Sequence, residues 1–133
     1  MRILSWNCQG ASRAPTVRAL KALARGEVPD VLFLAKTKVK SPIIDHMRSK
    51  MGFYGSYYVD AIGKAGGLAL FWKVGVKLEV VFENKYVLAS LVYSDPLENV
   101  WLLITIHCPP YVAKRRKFWG LMEELIYLSQ ASS

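Results

Sequence analysis

An α/β fold is predicted by three features of this 133-residue sequence. Residues 2–6, 17–24 and 31–34 follow one another as a short apolar strand, an amphipathic helix and a continuous apolar strand. After residue 52 the apolar spacing changes from helical to period two and stays so to residue 107. Apolar residues make up 53% and charged residues 21%, which excludes a disordered chain. The length allows one domain, residues 1–133.

Ile3 and Leu4 mark the first strand, and Gly10-Ala11-Ser12-Arg13 a loop. Pro15 fits a first helical turn, where its missing N–H would be unpaired anyway. Val17, Leu20, Leu23 and Ala24 recur at helical spacing with Arg18, Lys21 and Arg25 outside, and Gly26 is the expected stop. Pro29-Asp30 breaks the chain before Val31-Leu32-Phe33-Leu34, a strand of the fully buried kind. Strand, helix and strand in this order form a βαβ unit. Ser41 can cap a second helix and Pro42 fits its first position. Ile43, Ile44, Met47 and Met51 supply its apolar stripe before Gly52. Five strands are expected over residues 54–60, 67–72, 76–82, 86–93 and 100–107, read as an antiparallel meander. A last helix is expected over 113–128, with Phe118, Leu121, Met122, Leu125 and Leu128 on one face.

The net charge of +8 is uneven. Residues 1–50 carry 10 Lys+Arg against 3 Asp+Glu, and Lys114-Arg115-Arg116-Lys117 forms a second basic cluster. Such a surface suits phosphates, and equally a set of solvated helix faces. The longest apolar run, residues 100–106 and broken only by Thr105, is far short of the ~20 residues that a membrane helix needs. Asn7 and Gln9 interrupt the N-terminus too early for a secretory core. An intracellular protein, nuclear or cytoplasmic and not secreted, is expected. Cys8 and Cys108 are expected to be reduced, partly buried thiols.

Reactive groups in α/β folds sit at the carboxyl ends of strands. The first such end carries Asn7, whose amide can bond a phosphate oxygen, a carboxylate or a metal-bound water, or its own backbone in a turn. The second carries Lys36, Lys38 and Lys40, which would point the same way in extended chain, towards a phosphate or simply into solvent. The third carries His107, a general acid or base, a phosphate contact, or a structural histidine. Gly66-Gly67 beside Lys64 reads as a hairpin turn or an anion cradle.

Residues 3–10, Ile3-Leu4-Ser5-Trp6-Asn7-Cys8-Gln9-Gly10, resemble the opening of the endonuclease/exonuclease/phosphatase family. More narrowly they resemble the endonuclease domain of plant LINE-type, non-LTR retrotransposons. The likeness continues through Thr16-Val17-Arg18-Ala19-Leu20, Pro29-Asp30-Val31-Leu32-Phe33-Leu34, Gly66-Gly67-Leu68-Ala69-Leu70-Phe71-Trp72-Lys73 and Pro109-Pro110-Tyr111. The resemblance implies a four-layer α/β sandwich, two sheets face to face with helices outside. It also implies phosphodiester hydrolysis by a water activated by Mg²⁺.

Carried over by position, Asn7 matches the family's metal-site Asn. The family's metal-ligand Glu stands before a Thr; here Lys36 precedes Thr37 and Lys38. A lysine ammonium repels Mg²⁺ where a carboxylate should attract it. The Tyr position near the Pro corresponds to His107. The family's Asp-x-Asn and Asp-His pairs are expected beyond Ser133, with most of the second sheet. The chain therefore reads as the N-terminal half of such a sandwich: one mixed sheet with helices on one face and the second sheet largely missing. That would leave an uncovered apolar sheet face open to self-association, and it accounts for the high apolar content of so short a chain. The functional expectation is an inactive nuclease-like domain without tightly bound Mg²⁺. Asn7 and His107 are its degenerate catalytic positions, and Asn7 its residual metal contact. Two alternatives are a basic module that holds DNA through Arg13, Lys36, Lys38, Lys64, Lys114, Arg115, Arg116 and Lys117, and a retroelement remnant without selected function.

Overall fold

The computed structural model describes residues 1–62, 66–94, 99–107 and 123. In chain order the elements are β1 (Ile3–Asn7), α1 (Ala14–Glu27), β2 (Val31–Ala35), α2 (Ser41–Met51), β3 (Gly55–Val59), β4 (Leu68–Trp72), β5 (Leu78–Glu83), β6 (Val87–Val92) and β7 (Trp101–Ile106). The expected helix over 113–128, the thiol of Cys108 and the cations Lys64, Lys114, Arg115, Arg116 and Lys117 lie outside the described residues.

Two sheets form. The first has the order β1-β2-β4-β3, with β1 and β2 parallel and the other pairs antiparallel. The second is the antiparallel run β5-β6-β7. The five expected strands thus divide between the sheets instead of making one meander: β4 leaves chain order to lie between β2 and β3.

Residue alternation along β2 and β4 explains their unbroken apolar character. Leu32, Leu34, Ala69 and Phe71 face α1 and α2, packing with Leu20, Ile44, Met47 and Phe53. Val31, Phe33, Ala35, Leu68 and Leu70 face the second sheet and meet Leu78, Val80, Leu88 and Leu103. Phe33 and Phe71, each about 1% exposed or less, anchor the two cores. Burying such a ring contributes about 1.5–3 kcal/mol. The expected bare face is therefore corrected: β5, β6 and β7 cover the side of β2, β4 and β3 that the helices do not. What stays open is β1, the edge strand, whose Ile3, Ser5 and Asn7 are exposed on that side.

In β5, Val81 is a bulge: the register passes from Val80↔Ser90 to Phe82↔Ala89. The extra residue shifts the alternation by one. Leu78 and Val80 face the first sheet, whereas Phe82 joins Val87, Ile104 and Ile106 on the opposite face of the second sheet. Glu83 is turned back towards the first sheet, where its carboxylate accepts from the Tyr57 hydroxyl; that bond first, and then burial, raise the pKa of the tyrosine.

Two helix ends differ from the expected ones. α1 runs through Gly26, and Val28 takes the left-handed closing position at φ 45°. Ser41 lies inside α2, and the Asp60 carboxylate accepts from its backbone N–H at 3.0 Å. Gly52 closes α2 in the left-handed conformation as expected, at φ 80°.

Candidate strand-end site

Parallel pairing of β1 and β2 puts both carboxyl ends at one edge of the first sheet, and antiparallel β4 begins there. The connecting loops are stitched together through their backbones. Cys8 N–H donates to the Ala35 carbonyl at 3.0 Å, Gly10 N–H to Lys36 at 2.9 Å and Ala11 N–H to Thr37 at 2.7 Å. Thr37 N–H donates to the Gly67 carbonyl at 3.2 Å and Lys38 N–H to Gly66 at 2.8 Å. Under this lattice the Cys8 thiol donates to the Ala35 carbonyl at 3.2 Å. Burial pushes its pKa up, so it stays a protonated thiol.

This stitching requires an unusual backbone. Lys36 and Lys38 adopt left-handed conformations, φ 52° and 56°, as does Gln9 at 49°. The chain after β2 is thus not extended, and the expected row of three lysines does not form. Lys36 is half-buried, Thr37 is buried, Lys38 is exposed, and Lys40 donates its ammonium to the Ala61 carbonyl at 2.7 Å. Non-glycine residues in this region cost of order 1 kcal/mol each, and such outliers cluster at functional sites. Gly67, at φ 94°, leaves no room for a Cβ against the Thr37 hydroxyl, a buried oxygen without a hydrogen-bond partner among the described residues.

Of the residues singled out from sequence, five come together here. Asn7 lies opposite Ala35 in the ladder, beside Lys36. Arg13 and Lys38 converge over Gly10, whose missing Cβ would sit 3.3 Å from the Arg13 Cδ and 4.0 Å from the Lys38 Cδ. His107, whose N–H donates to the Tyr86 carbonyl at 2.7 Å, is close enough to Lys36 to feel its charge. Burial first, and then Lys36, hold the His107 pKa below its ordinary value. The charged ends of Arg13, Lys36 and Lys38 form no hydrogen bond or ion pair with the described residues.

Chemically the arrangement suits an anion better than a cation. Among the described residues no cluster of three His, Cys, Asp or Glu side chains could hold a metal. Mg²⁺ needs carboxylate oxygens, and an Asn amide among three cations does not fit it. Sequence reasoning missed the left-handed turns because Lys and Gln carry no strong signal for positive φ, and the roles of Thr37 and Gly67 because the two meet only across separate loops.

The architecture is shared with solved nucleases. An AP endonuclease, LMAP from Leishmania major, matches with a TM-score of 0.60 at 19% identity, over 81% of this chain and 40% of that one. A 3′ phosphatase, NExo from Neisseria, bound to a product DNA hairpin, matches at 0.67 and 17%, over 98% and 53%. TDP2 from Caenorhabditis elegans matches at 0.68 and 18%, over 100% and 43%. The fold is therefore the layered α/β fold of endonuclease/exonuclease/phosphatase nucleases. At these identities the likeness establishes the fold alone, and this chain spans about half the length of those structures or less. No family model matches the sequence, and no curated protein matches it. No helix among the described residues is long and apolar enough to cross a membrane.

Proposed function

We propose that this chain is part of an endonuclease/exonuclease/phosphatase domain that binds nucleic-acid phosphates, DNA in the first instance, without Mg²⁺-dependent hydrolysis. The observation that carries this is Lys36. Its backbone is held left-handed at the end of β2, its charge reaches His107, and the described residues include further cations here and no metal-ligand cluster. A cation supplies the attraction for a phosphate that a metal would otherwise supply, but it activates no water. Asn7 adds an amide donor, and Arg13 and Lys38 add charges over Gly10. On this reading Lys64, Lys114, Arg115, Arg116 and Lys117 extend the phosphate track. The neighbours' activity on DNA supports the substrate class: one is an AP endonuclease and another is bound to a DNA hairpin. Descent from a plant LINE-type element and a nuclear or cytoplasmic location belong to the same reading, and the first rests on the strand-end peptides.

The test combines binding and cleavage. A labelled oligonucleotide should bind at low salt, with affinity falling steeply as salt rises. Replacing Lys36 and Lys38 by Ala should flatten the plot of log K against log salt by about 1–2, since each phosphate contact contributes about 0.7–0.9 to its slope. Supercoiled plasmid with Mg²⁺ should stay intact, for wild type and for Lys36→Glu, because a single restored carboxylate does not rebuild a group that acts as a unit. Metal-dependent nicking that Asn7→Ala abolishes would refute the inactive reading. A wild type that binds no DNA at low salt would refute the binding one.

A further inference from the structure

α1 and α2 lie side by side on the first sheet, sending Leu20, Ile44 and Met47 down into its core. Their facing flanks do not close over one another. One cavity of about 200 Å³ opens between them, floored by Val17, Leu20, Met47 and Met51. A second, of about 280 Å³, continues from it past Lys21, Arg25, Lys50 and Lys73. The two share Lys21, Lys50 and Met51, so they form one groove, apolar at the α2 N-terminal end and cationic at the other.

We propose that this groove docks an acidic amphipathic segment of a partner protein, its apolar side chains on the methionine floor and its carboxylates against Lys21, Arg25, Lys50 and Lys73. Charge complementarity carries the argument. No acidic residue lines either cavity, and the four cations form no ion pair with the described residues. The acids on these helices are engaged elsewhere: Glu27 with Arg2 at 3.0 Å and Asp45 with Arg48 at 3.1 Å. Four like charges around one groove repel each other until a countercharge arrives. The floor favours a protein segment over a nucleic acid. Its Val, Leu and Met side chains suit apolar anchors, with methionine adapting to their shape; of its two rings Phe53 is only 4% exposed, which leaves a base the single imidazole of His46 to stack on. α2 has 11 residues, which gives the groove a length of roughly 16 Å, room for about three helical turns. The proposal does not depend on the strand-end site.

The probe is a short fluorescein-labelled synthetic peptide with Leu on one helical face and Glu on the other, titrated with the whole chain by anisotropy. It should bind saturably. Lys21→Glu with Lys50→Glu, the first half-buried and the second exposed, should weaken it at least about tenfold, since like charges juxtaposed across an interface are costly. Met51→Ser should weaken it at least about threefold, from lost apolar contact, and Lys36→Ala should leave it unchanged, which separates this site from the phosphate site. Circular dichroism of each variant checks the fold. A peptide that does not bind, or one with Gln for Leu that binds equally well, overturns the proposal. So does an oligonucleotide of equal charge that displaces the probe as well as unlabelled peptide does.

Discussion

Lys38 carries both a strained backbone and a charge, and the two can be separated. Glycine adopts φ 56° without steric cost. Lys38→Gly should therefore match or exceed Lys38→Ala in stability, by about 0.5–1 kcal/mol, while both lose the same phosphate affinity. Denaturant titration and oligonucleotide binding, measured side by side, check this. His107 offers a pH test. Its folded pKa is depressed, by burial and then by Lys36. A group of this kind contributes stability above its unfolded pKa, about 6.5, which is lost as pH falls through the folded value, because the unfolded chain takes up the proton first. The urea midpoint should thus fall between pH 7.5 and pH 5 by more in the wild type than in His107→Asn. Lys36→Met should narrow the difference by removing one of the two causes. Asn7, Lys36 and His107 were legible in the sequence as strand-end residues, because each follows an apolar strand. The conformation that positions Lys36 was not, since it depends on backbone partners in two other loops.

Among the elements, β3 and β4 illustrate a constraint that apolar spacing does not reveal. Gly55 pairs with Trp72, and the indole of Trp72 occupies the space where a Cβ on residue 55 would stand. Gly55→Ala should force the indole aside and destabilise the protein by about 1–3 kcal/mol. Gly26→Ala, open on that side within α1, should stabilise it by up to about 1 kcal/mol. Thermal melts of the two variants should move in opposite directions. The core strands β2 and β4 were legible because five apolar residues in succession, each run preceded by a chain breaker (Pro29-Asp30, Gly66-Gly67), suit a strand buried on both faces. The helix ends were less so. Asp60 caps α2 from 19 residues away, and Val28 closes α1 although Gly26 is the better local candidate. The bulge at Val81 carried no signal either, since Val80-Val81-Phe82 reads as any apolar strand.

For the whole molecule, period-two patterning identified strands but not their sheets. Alternation says which residues share a face and nothing about which neighbour lies opposite. Hence the pattern predicts one sheet containing β5, β6 and β7, and a bare face where the structure has a covered one. Packing between the sheets can be measured. Leu88, fully buried between them, should cost about 2–5 kcal/mol on substitution by Ala, comparable to Leu32 on the helix side. A much smaller loss for Leu88→Ala would mean that the sheets do not pack as described. The stitched loops have a consequence of their own. Segments at strand ends usually exchange their amide protons with solvent within seconds to minutes, because their N–H groups face water. Here the amides of Gly10, Ala11, Thr37 and Lys38 are each bonded to a carbonyl of another loop. They open only when the ends of β1, β2 and β4 part together, so in deuterated buffer they should exchange as slowly as the strands themselves. The surface proposed to meet a phosphate would then be a rigid mould, whose shape is set before anything binds.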